Sequence, residues 1–176
     1  MLILLVGCSS ANPSNPRASP SVSHPNPPDL TQPLGEYAGA PCALLDGDED
    51  RAAYRITMPG RVIDLSEGPA ESCYWLVSTG VQITWIPYPH EKTWRANADD
   101  PGARRFYIAG YPVVQTADKE SCYQNVIVGS SDSVLSSGSF SMLVRRTESD
   151  APKDLCGIAT LLSELIITKL QLGLSN

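Results

Sequence analysis

Two histidines limit the acid–base and nucleophilic chemistry open to this sequence. His24 stands among prolines and serines, which leaves His90, next to Pro89 in a polar stretch, as the one histidine base for a folded domain. Serine is abundant, yet no Gly-x-Ser-x-Gly elbow presents one as a nucleophile. His90-Glu91-Lys92-Thr93-Trp94 lacks the second histidine, four residues on, that a zinc hydrolase helix needs. No glycine-rich phosphate loop occurs. The acids of Asp46-Gly47-Asp48-Glu49-Asp50 alternate as in the first ligand positions of a calcium loop. The sixth position, however, is Arg51 instead of glycine, and the twelfth is Thr57 instead of a bidentate glutamate. These acids are expected to cap a helix, facing the positive end of its dipole. Glu67, Glu71, Asp118 and Glu120 are scattered among loops and define no carboxylate pair. No enzyme, catalytic residue, metal ligand or cofactor is therefore expected, and an extracytoplasmic hydrolase built on His90 ranks last among the readings.

Aromatic side chains carry the only sign of binding. Trp75 and Trp85 fall on strand patterns and are expected in the core, beside a disulfide. Tyr88, Trp94 and Tyr111 lie near prolines and loops, and form the candidate wall of an apolar ligand cleft.

Cys8 offers a different chemistry. Leu5-Val6-Gly7-Cys8 has the form of a lipobox. An apolar position enters a membrane peptidase, a small residue precedes the scissile bond, and the cysteine thiol takes a diacylglyceryl group. A signal peptide also needs a basic segment and about 7–15 apolar residues. Here the first basic residue is Arg17, so the basic segment is expected upstream of Met1, and residues 1–7 read as a truncated signal peptide. From Cys8 to residue 39 prolines alternate with serines and asparagines, and large apolar residues are scarce. Such a segment buries too little surface to offset its ordering entropy and acts as an extended tether.

Residues 40–176 read as a single domain that must position the rest. A short helix is expected over 46–55, capped by Asp46 or Asp48 and ended by Met58-Pro59-Gly60. Alternation of Val81, Ile83 and Trp85 with Gln82 and Thr84 marks a half-buried strand, joined to 73–78 through a turn at Thr79-Gly80. Further strands are expected over 105–109, 123–128 and 140–146. Cys156, Ala159, Leu162, Ile166 and Leu170 recur at helical spacing over 154–170, and this stripe is expected to pack on the sheet. Helix, strand meander, helix indicates an α+β domain with an antiparallel sheet.

Five cysteines suit an oxidising compartment, and with Cys8 lipidated, Cys42, Cys73, Cys122 and Cys156 allow three pairings. Cys42-Ala43-Leu44-Leu45 before a helix and Cys73-Tyr74-Trp75 opening a strand form one half of a larger pattern. Ile108-Ala109-Gly110-Tyr111-Pro112 before Cys122, with Cys156 at the head of the last helix, forms the other. Together these resemble a family of actinobacterial, largely mycobacterial-type, cell-envelope lipoproteins with a domain of unknown function. The resemblance spans about 41–170. It implies that Cys42 bonds Cys73 and Cys122 bonds Cys156, and it implies no activity. The acidic run Asp46–Asp50 and the serine-rich stretch between Val128 and Phe140 depart from the family pattern.

A net charge of -6 repels phosphate backbones and anionic lipid heads, so nucleic acid is excluded as a partner and membrane attachment must come from the lipid on Cys8. The leading expectation is a lipoprotein of the cell membrane's extracytoplasmic face, with a non-catalytic domain that binds a protein or envelope component. The alternative is a carrier or sensor of a small apolar ligand, held between the sheet and the C-terminal helix.

Overall fold

The computed structural model describes residues 34–37, 39–64, 71–87, 99–128 and 138–173. Two 3-10 turns, Leu34–Tyr37 and Pro41–Leu44, lead into helix α1, Asp48–Ala53. Strands β1 (Arg61–Ile63), β2 (Ser72–Val77) and β3 (Val81–Ile86) follow, then β4 (Arg104–Ile108), β5 (Tyr111–Ala117), β6 (Ser121–Ile127) and β7 (Ser139–Arg146). Helix α2, Leu155–Leu172, closes the described chain. The fold is α+β, as its pattern of elements predicts.

All seven strands form one antiparallel sheet in the order β1-β2-β3-β7-β6-β5-β4. Its turns follow from local chemistry. Val77 and Val81 pair across a three-residue loop whose last member, Gly80, has φ +70°, the left-handed value that closes such a hairpin. Ile108 and Tyr111 pair across a two-residue turn, with Ala109 and Gly110 both at positive φ. Between β5 and β6 the Asp118 carboxylate accepts from the Glu120 and Ser121 amides, each at 2.7 Å.

Register places Trp75, Ile83, Trp85, Met142, Val144, Cys122, Gln124, Val126 and Val113 on one face. Helix α2 packs there against β6 and β7, burying Ala159, Leu162, Ile166, Ile167 and Leu170. Its 18 residues are long and apolar enough to cross a membrane, but this buried stripe and a bond from Cys156 to Cys122 seat it on the sheet. The Asp154 carboxylate caps it, accepting from the Gly157 amide at 2.8 Å.

Several expectations change. Packing reaches ahead of residue 40: Leu34 and Tyr37 are buried, and Tyr37 stands edge-on to Trp85 with ring centroids 5.6 Å apart. Helix α1 is six residues long and its N-cap is Gly47, with no side-chain cap. Asp46 turns away to more distant partners, while Asp48, Glu49 and Asp50 occupy the first turn. Strands β1 and β5 were not expected. Trp75 and Trp85 lie in the core, as predicted.

Candidate functional site

The two bridges set the frame. Cys42 is bonded to Cys73, with Cα atoms 5.1 Å apart, fastening the second 3-10 turn to β2. Cys122 is bonded to Cys156 at a Cα separation of 5.2 Å, fastening the first turn of α2 to β6. Against the first bridge, the Asp46 carboxylate accepts from the Trp75 indole N–H at 2.9 Å and from the Gly60 amide at 2.8 Å. At the other end of α2, buried Lys169 donates to the Leu44 carbonyl at 2.8 Å and to the Asp50 carboxylate. Both ends of α2 are thus tied down, one covalently and one by a charge-assisted contact.

These ties leave a groove of about 290 Å³ between α2, the end of α1 and the β2–β3 hairpin. Val77, Val81 and Ile83 form its sheet wall, Ile158 and Leu161 its helix wall, and Tyr54 and Arg55 its third side. Leu161, on the helix wall, is 62% exposed.

Arg55 owes its place to the way α1 ends. Tyr54 is the C-cap, the Arg55 amide bonds the Ala52 carbonyl at 3.3 Å, and the Ile56 amide bonds the Arg51 carbonyl at 2.8 Å. This double bond pattern is a Schellman motif, and it requires a left-handed residue after the cap, usually glycine. Arg55 takes that position at φ +54°, at a cost of about 1–2 kcal/mol for a residue with a Cβ. The chain then runs beside β2: Thr57 N–H bonds the Leu76 carbonyl at 2.9 Å, and Ser78 N–H bonds the Arg55 carbonyl at 3.0 Å. The Arg55 backbone is thereby fixed while its side chain is exposed, with no ion pair among the described residues. Beside it, burial and then the charge of Asp50 raise the Tyr54 phenol above its ordinary range, so it stays a protonated donor at neutral pH.

The aromatic residues singled out in the sequence do not meet here. Tyr111 is wholly buried at the start of β5 and presents no surface. Tyr88, Trp94, His90 and Cys8 lie outside the described residues. What sequence reading missed is Arg55, which falls inside the helix expected over 46–55 and in fact stands two residues past the end of α1.

A family model described as Protein of unknown function (DUF3558) matches residues 3–169. The chain belongs to the DUF3558 family. No curated protein and no solved structure matches it. In this DUF3558 domain, the carboxylates and cysteines just described are engaged in structure, and among the described residues no group of three His, Cys, Asp or Glu side chains is gathered to hold a metal.

The opposite face of the DUF3558 sheet is polar at its centre. Tyr123 donates to the Ser141 hydroxyl at 2.9 Å, which in turn donates to the Asn125 side-chain carbonyl at 2.5 Å. Burial raises the Tyr123 phenol, against the lowering effect of its bond to Ser141. The Asn125 amide nitrogen is buried without a partner.

Proposed function

We propose that this DUF3558 protein is a cell-envelope lipoprotein of the actinobacterial, mycobacterial type, held at the extracytoplasmic face of the cell membrane by lipid on Cys8. Its domain binds an envelope component and catalyses nothing. The observation that carries the binding role is the groove: an open, largely apolar hollow whose rim holds an exposed leucine and a strained arginine. A concave, mostly apolar hollow with a few polar groups at its rim has the usual form of a ligand site.

The location rests on the lipobox Leu5-Val6-Gly7-Cys8, the proline-rich stretch after it, and a pair of disulfides suited to an oxidising compartment. The non-catalytic reading draws support from four acids with structural uses: Asp46 on Trp75, Asp50 on Lys169, Asp118 in a turn and Asp154 at a cap. A second reading, carriage or sensing of a small apolar ligand, is favoured by the position of the groove between the sheet and the last helix.

Two measurements test the proposal. Expressed behind a complete signal peptide, the protein should enter the detergent phase on phase partitioning, and the Cys8→Ala variant should stay in the aqueous phase. Detergent partitioning of that variant would overturn lipidation at Cys8. A His90→Ala variant should keep its fold and its cellular phenotype, whereas a hydrolytic activity lost with His90 would overturn the non-catalytic role.

A further inference from the structure

We infer that the groove holds a single alkyl chain and that Arg55 binds the carboxylate at its end, so the ligand is a fatty-acid-type monoanion. The inference deepens the binding reading above and rests on it. Three observations lead to it.

The first is size. At about 290 Å³ the groove lies at the small end of ligand-pocket volumes, a size suited to one short chain. The second is the distribution of polarity. Val77, Val81, Ile83, Ile158 and Leu161 supply apolar walls, while Arg55 and Tyr54 bring a cation and a hydroxyl donor to one side. An apolar hollow bordered on one side by donors matches an amphiphile better than a plain hydrocarbon. A guanidinium receives a carboxylate in a bidentate pair, and the protonated Tyr54 phenol can donate a further bond.

The third is charge and strain together. The chain carries a net charge of -6, so its surface as a whole repels anions, and Arg55 is a cation without an ion pair among the described residues. One cation in an acidic surround favours a monoanion over a doubly charged phosphate head. Arg55 also occupies a Schellman position where glycine is unstrained. Held strain at a groove is accounted for if the side chain that causes it binds something.

The strain makes the test discriminating, because replacing Arg55 by glycine should improve the fold and impair the site. The protein used is the full chain as the Cys8→Ala variant, so that its own acyl groups do not compete. Decanoate, decan-1-ol and decyl phosphate, each below its aggregation concentration, are titrated at pH 7 by calorimetry. Decanoate should bind with one saturable site and at least tenfold more tightly than decan-1-ol or decyl phosphate. Arg55→Gly should raise the melting temperature, weaken decanoate at least tenfold and leave decan-1-ol unchanged. Leu161→Asp, on an exposed position, should weaken all three ligands without lowering the melting temperature. If decanoate and decan-1-ol bind alike, or Arg55→Gly leaves decanoate affinity unchanged, the carboxylate assignment falls while the apolar groove stands. Tighter binding of decyl phosphate overturns the choice of a monoanion. If none of the three binds the parent protein, the groove reading itself falls.

Discussion

Asp46 holds two groups that would otherwise be stranded, the Trp75 indole N–H and the Gly60 amide. Asp46→Ala should therefore cost about 1–3 kcal/mol, the usual penalty for leaving part-buried donors unpaired, read as a fall in the denaturation midpoint. Asp46→Asn, which keeps an acceptor oxygen, should cost less. Gly60 presses against the same cluster. A Cβ there would stand 2.4 Å from Cys73 Sγ and 2.9 Å from Cys42 Sγ, so Gly60→Ala should lower both stability and the yield of the Cys42–Cys73 bridge in non-reducing peptide maps. Asp118 gives the pH dependence. Amides of Glu120 and Ser121 hold its carboxyl below the usual carboxylate range in the folded state. The sign follows from that depression: the stabilisation is present above the unfolded pKa and is lost as pH falls through the folded one. Because Asp118 is exposed, the effect is small, and an NMR titration of its carboxyl carbon should show the low midpoint directly. None of these roles was legible in the sequence. Asp46 looked like a helix cap because caps act over a few neighbouring residues, whereas its partners are 14 and 29 positions away. The tryptophans were legible, because alternation with polar residues assigns a face without knowledge of the partner.

Among the elements, α2 and the strands with clean periodicity could be read from the chain. The hairpin of β2 and β3, the final strand and the apolar stripe of α2 all repeat at the spacing of their own secondary structure. Strand β1 is three residues long and mostly exposed, too short to show a period. Strand β5 contains Pro112, a signal against a central strand, and buries Val113, Val114 and Gln115 in succession because both of its faces are covered there. The groove escaped detection for a similar reason: its walls come from three elements that only tertiary packing brings together. The ties at the two ends of α2 should differ in kind. Removing Cys122 and Cys156 together by Cys→Ser should cost about 3–4 kcal/mol through loop entropy, given a separation of 34 residues. Lys169→Met should cost about 3 kcal/mol by taking the ammonium away from the Asp50 carboxylate and the Leu44 carbonyl, and adding Asp50→Asn should restore part of it. Urea unfolding of the three variants measures both.

For the molecule as a whole, neither bridge crosses the seam between β3 and β7; each closes a loop within its own part of the chain. The two parts nevertheless share one buried cluster, from Leu34 through Trp85 to Leu170. Calorimetry of the oxidised protein should accordingly give a single cooperative transition, and two resolved transitions would show that the seam is weaker than its buried side chains imply. The same seam has a consequence in time. On the export proposed above the chain emerges from its N-terminus, so β3 exists before Ser139–Arg146, the strand that pairs with its free edge. Until then Val81–Ile86 is an apolar strand with unpaired amides, the state most open to association with another chain. Cys42 and Cys73 can meet during this interval, but Cys122 must wait for Cys156, which follows β7. The order of oxidation is thus written into the strand order. Chains truncated before residue 139 and refolded under oxidising conditions should protect Cys42 and Cys73 from alkylation while Cys122 remains reactive.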